Sequence, residues 1–153
     1  MMSSRQTSVQ SSAQSSVQPS MQASAKSLFL ARVLLADALV SGAVGLSQVL
    51  AAAPLAALLD LPADGLRVTG LVLLVYGAAL VWLVRRTMLP AGAAWTVIAI
   101  NAIWALDCAI LLASDWIAPN ALGAAFIAVQ IVTVLVFAEL TFIGLRRRRA
   151  AQA

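Results

Sequence analysis

The sequence predicts an all-α, membrane-embedded four-helix bundle behind a disordered N-terminal tail. Three observations carry that expectation. The 153-residue chain is 62% hydrophobic and only 10% charged, with a mean hydropathy of +0.95; soluble domains carry about 25% charged residues. A chain this short has too little interior to hide so much apolar surface from water. Four apolar runs of spanning length, about 20 residues each, follow one another at roughly 28–51, 66–84, 92–113 and 120–145. Pro54, Pro62, Pro90 and Pro119 fall between these runs or at their ends, where helix interiors are spared.

Residues 1–27 differ from everything after them. From Val9 they fall into tetrads, VQSS, AQSS, VQPS and MQAS, before AKSL leads into the first span. A period of four is close to a helix repeat. Its apolar members (Val9, Ala13, Val17, Met21 and Ala25) are too weak to hold a membrane, however, and Pro19 breaks the pattern. A disordered Ser/Gln-rich tail is the better reading, with Met21 as an alternative start. The tail lacks acids, as transit peptides do, but has only Arg5 and Lys26 as cations. The first run exceeds the 7–15 residues or so of a signal peptide's apolar region. Arg32 and Asp37 interrupt it, and Pro54 follows the Ala51–Ala53 candidate cleavage site. The run is therefore expected to be retained as a span.

Between the first two spans, PLAALLDLPADG is apolar but too short to cross. It reads as an interfacial half-helix closed by a turn at Pro62–Gly65. Residues 150–153 form a short C-terminal tail.

A formal charge of +4 could point to nucleic acid, but no polar domain exists to display a basic face. The cations instead sit at the edges of apolar runs, the pattern that orients membrane proteins. Arg5, Lys26 and Arg32 precede or open the first span, Arg85 and Arg86 separate the second and third, and Arg146, Arg147, Arg148 and Arg149 close the fourth. Only Arg67 lies on the other side, with Asp60, Asp64 and Asp115. Both termini should be cytoplasmic in a bacterial inner (plasma) membrane. The arginine cluster is first an orientation signal, and binding of anionic lipid headgroups is a second role open to it.

The polar residues inside the spans carry what functional signal there is. Counting from the cytoplasmic ends, Asp37 and Asn101 each lie about nine residues in, near mid-membrane at 1.5 Å per residue. Matching depths pairs Asp37 with Asn101, Arg32 with Glu139 (a candidate ion pair), and Asp107 with Gln130. Asp37, Ser41, Gly45 and Gln48 share one helix face, the small-and-polar stripe of a helix–helix contact. Asn101, Ala105 and Cys108 share a face with Ala94, and Thr69 and Tyr76 share one beside Gly70 and Gly77. With these faces inward, Asp37, Ser41, Gln48, Tyr76 and Asn101 form a candidate polar network. A charged aspartate at a helix centre costs about 2.5–3.5 kcal/mol on the insertion scale. Each neighbouring Leu, Val or Phe returns roughly 0.3–0.6 kcal/mol, so the span still inserts. Burial favours the uncharged acid, a hydrogen-bond donor. Asp37 is then either a structural link or a proton carrier. Trp82, Trp95 and Trp116 read as interface anchors and Trp104 as a packing residue; Cys108 reads as a small packing residue.

The chain has no histidine and one cysteine, hence no histidine base for a nucleophile and no intrachain disulfide. It has no metal-ligand cluster, no Gly-rich phosphate loop and no CxxC. The carboxylates are few and on different helices, against a two-carboxylate hydrolase. No enzyme activity, metal or cofactor is expected. The partners expected are the bilayer and, on the polar faces, a homodimer or protein partner.

Arg32–Asp37 followed by Gly42 and Gly45, then PLAALLDLP, Gly70, Asn101–Trp104 and Gly144–Leu145–Arg146 together resemble the short, uncharacterised four-span integral membrane proteins of bacteria. The resemblance covers about residues 28–149 and implies a fold and a location rather than an activity. A four-span size with an acid in the first span is also similar to small multidrug transporters. Their essential residue is a glutamate in a different local context, so no site carries over.

Overall fold

The computed structural model describes residues 28–86 and 89–150; the Ser/Gln tail and residues 151–153 lie outside them. Five helices follow in order: α1 (Leu28–Leu50), α2 (Ala52–Leu59), α3 (Ala63–Val84), α4 (Ala91–Ala113) and α5 (Ala121–Arg149). No strand occurs among the described residues. Helices α1, α3, α4 and α5 are each long and apolar enough to cross a membrane, the architecture of a multi-pass integral membrane protein. At 1.5 Å per residue, 22 to 23 residues give about 33–35 Å, enough for a hydrocarbon core of about 30 Å.

The short α2 exists because Pro54 interrupts the first helix. Proline has no N–H to bond the Leu50 carbonyl, and its ring clashes with that group. The chain bends at Ala51 (φ −112°, ψ 27°), while the Ala51 N–H to Ser47 and Leu55 N–H to Ala51 bonds, both 2.9 Å, carry the ladder past the break. Asp60 ends α2 in the left-handed region (φ 55°, ψ 48°). Its N–H and that of Leu61 both reach the Ala56 carbonyl, a Schellman closure.

Two boundaries differ from the sequence expectation. Helix α3 starts at Ala63, so Gly65 lies inside its first turn and the reversal is confined to Asp60–Pro62. Asp64, in that first turn, suits the positive end of the helix dipole. At the other extreme α5 runs on to Arg149 instead of stopping near 145. Arginine is a good helix former, and four cations in the last turn suit the negative end.

Helix α1 is the hub. In its most apolar window 39% of residues are buried, against 17% in α4. Its N-terminal half contributes Leu30, Leu34 and Ala38 to a core completed by Leu80 of α3, Ala94 and Val97 of α4, and Leu145 of α5. Leu30 packs on Gly144, so both described termini lie at one, basic, end. Farther along, Gly45 and Gly70 let the α1 and α3 backbones cross in close contact, as small residues do between membrane helices. At the α2 end, the Asn120 side chain caps α5 through the Gly123 N–H (2.9 Å) and donates to the Leu58 carbonyl (2.8 Å). Gly123 sits against the Leu59 carbonyl, where no Cβ fits. The outer surface is apolar, with Leu50 76% and Val75 72% exposed. Water would penalise such a surface and lipid does not.

Candidate functional site: a buried carboxyl held by three helices

Asp37 is 1% exposed and lies on the inward stripe of α1. One turn on, Ser41 donates to its Oδ1 at 3.2 Å. From α3, the Tyr76 hydroxyl donates to Oδ2 at 2.8 Å. From α4, the Asn101 Nδ2 donates to the same oxygen at 3.1 Å, and Asn101 is itself 2% exposed. The residues paired by depth and wheel are thus brought into one cluster. The i, i+4 spacing on α1 puts Ser41 directly beneath Asp37, while the Gly77 backbone, packed against the Ala38 carbonyl, brings α3 near enough for Tyr76 to reach.

Of these three bonds only the one from the Asn101 amide nitrogen has a fixed direction, since an amide N–H can only donate. The hydroxyls of Ser41 and Tyr76 can also accept after rotation, so the same heavy-atom frame holds the protonated acid with one bond turned round. A cavity of about 40 Å³ borders the cluster, lined by Ser41, Tyr76, Asn101 and Trp104 among others. A liquid water takes about 30 Å³.

Gln48 belongs to a separate link. It is buried at 2% exposure, and its Oε1 accepts from Thr69 Oγ1 at 3.2 Å. Eleven residues of α1 separate it from Asp37, about 16 Å along the axis, so the five-residue network divides into two. Thr69 was legible only as a face-mate of Tyr76 and had no assigned partner.

The other two depth-matched pairs do not form. Arg32 and Glu139 are both exposed, and the salt bridge among the described residues is instead Arg67–Asp64 (2.8 Å), exposed at the start of α3. Asp107 is exposed and Gln130 half-buried, with no bond between them. On α4, Asp107 is six residues from Asn101, which at 100° per residue turns it well away from the inward face. Equal depth leaves a helix's rotation open, and here rotation separates the partners.

At the basic end, the Arg147 guanidinium lies 5.1 Å from the Phe29 ring centre, Arg146 lies 5.8 Å from Phe142, and Arg86 lies 3.9 Å from Trp82. Arg148 donates to the Leu89 carbonyl. Trp82, Trp95 and Trp116 are exposed. Trp104 is half-buried, with its Nε1 enclosed and without a hydrogen-bond partner. Thr141 Oγ1 is likewise unpartnered, and nothing in the sequence pointed to it. Among the described residues no group of three or more Cys, Asp or Glu side chains is placed to hold a metal.

Compared with known proteins, the chain matches no family model, and no curated protein or solved structure is significantly similar to it.

Proposed function

We propose that this is a non-enzymatic integral membrane protein in which Asp37 knits three helices into one bundle. The supporting observation is the convergence on one carboxyl group of donors from α1, α3 and α4. The test is a pair of variants. Asp37→Asn keeps one acceptor and gains a donor that Ser41 can accept, so it should stay within about 1 kcal/mol of the parent. Asp37→Leu leaves the Tyr76 hydroxyl and the Asn101 amide unpaired, at about 1–3 kcal/mol each. Unfolding by SDS titration reads both; an Asp37→Leu protein as stable as the parent would dispose of the structural role.

A second reading is a small proton-coupled transporter with Asp37 as the carrier. It is favoured by the reversible hydroxyl bonds and by the water-sized cavity beside the cluster. In proteoliposomes with a pH gradient and an internal pH dye, Asp37→Asn then folds normally but conducts no protons. Flux that survives the substitution eliminates this reading. Under either reading the basic end faces the cytoplasm of a bacterial inner membrane, where the exposed arginines meet anionic headgroups. A homodimer or protein partner would dock against the polar positions left on the outer surface.

A further inference from the structure

Among the described residues, two sizeable cavities lie in the half of the bundle toward α2. A cavity of about 190 Å³ lies between α1, α3, α4 and α5, with Leu66, Thr69, Trp104, Cys108 and Phe126 in its lining. A second, of about 170 Å³, lies between α1 and α5 and shares Trp104, Phe126 and Gln130 with the first. For scale, an engineered apolar cavity of about 150 Å³ holds a benzene molecule and stays free of water.

The polar side chains around these chambers have little left to offer a ligand. Thr69 Oγ1 is engaged with Gln48 and with the Gly65 and Leu66 carbonyls, and Thr133 Oγ1 is bonded to the Val129 carbonyl at 2.7 Å. Trp104 Nε1 is enclosed by protein. Apart from the half-buried Gln130 amide, which borders both chambers, what remains facing the space is hydrocarbon and aromatic surface, so water finds few partners there. Left unfilled, the same walls forgo their dispersion contacts.

We propose that the two chambers are binding sites for phospholipid acyl chains, separated by the Trp104 ring. Three features select a lipid tail over a soluble ligand. Both chambers are walled largely by helices long and apolar enough to cross a membrane. Phe126, Gln130 and Cys108 are half-exposed, so the space opens sideways toward lipid. Toward the α2 end the first chamber is bounded by the apolar corner residues Leu61, Pro62 and Ile117, which stand between it and the aqueous side. A flexible chain entering from the bilayer meets, the Gln130 amide apart, surfaces of its own chemistry.

The test uses the full chain in phosphatidylcholine nanodiscs, with Trp82, Trp95 and Trp116 changed to Phe so that Trp104 alone reports. Phosphatidylcholine brominated at mid-chain should quench Trp104 strongly, and aqueous acrylamide should not. Two variants fill the first chamber: Cys108→Phe and Gly65→Leu, the latter at a site where an added Cβ meets only Pro62 Cβ at 3.7 Å. Either filler should cut the bromine quenching at least two-fold, and the pair guards against one variant failing to fold. A Trp104 that bromolipid leaves bright, that acrylamide quenches, or that bromolipid quenches equally with and without the fillers overturns the proposal.

Discussion

Alanine substitutions at Gly42 and Gly45, three residues apart on α1, should move stability in opposite directions. A Cβ at Gly45 would stand 2.7 Å from the Gly70 carbonyl oxygen, 3.0 Å from Leu73 Cβ and 3.2 Å from Leu74 Cγ. The nearest of these is backbone, so no side-chain rotation relieves it, and α1 and α3 must part by about half an ångström to restore van der Waals distance. Overpacking of this kind costs about 1–3 kcal/mol. Parting the helices also stretches the adjacent Gln48–Thr69 bond, 3.2 Å to begin with. At Gly42 nothing lies within 4 Å of the added carbon. There Gly→Ala gains about 0.4–1 kcal/mol by restricting the unfolded chain, toward the lower figure where the denatured state keeps its helices. The two variants should therefore differ by roughly 2 kcal/mol, about thirty-fold in the unfolding equilibrium. SDS titration in mixed micelles, followed by tryptophan fluorescence, reads the difference. Gly70→Ala should behave like Gly45→Ala, because its Cβ meets the Gly45 carbonyl at 2.8 Å. The double variant should cost less than the sum, since both push the same pair of helices apart. A Gly45→Ala protein as stable as Gly42→Ala would refute the close crossing.

Two further variants test the α2 end by the same titration. Asp60 holds a left-handed conformation at φ 55°, so Asp60→Gly should stabilise by up to about 1 kcal/mol and Asp60→Val should destabilise by about 1–2 kcal/mol. Asn120→Ala removes both the cap on Gly123 and the tie to Leu58. It should cost about 1–2 kcal/mol and speed amide exchange in the first turn of α5; unchanged exchange there would mean that the cap contributes nothing.

The spans were readable because each helix is apolar along its own length, and proline marks where each must stop. Their ends were less so. Asp64 and Gly65 look like turn residues yet sit in the first turn of α3. Arg146–Arg149 look like a tail yet extend α5, because cations at a helix C-terminus are electrostatically favoured. Within the site, Asp37, Ser41, Tyr76 and Asn101 could be grouped in advance because each lies on a face marked by small residues. Gln48 lay on the same stripe, but its true partner, Thr69, follows from the Gly45–Gly70 crossing, which fixes how α3 is rotated.

By itself the sequence determined four membrane-spanning helices, an interrupted apolar segment after the first, and an acid at mid-depth on a stripe of small and polar residues. Only the tertiary structure decided which side chains meet. It joined Asp37 to Tyr76 and Asn101, left Arg32, Glu139 and Asp107 on the outside, and opened the chambers around Trp104. The physical reason is that lipid and a membrane protein's core are both apolar. Hydropathy therefore reports how deep a residue lies and says almost nothing about which way it faces. The facing is set where two glycine backbones touch.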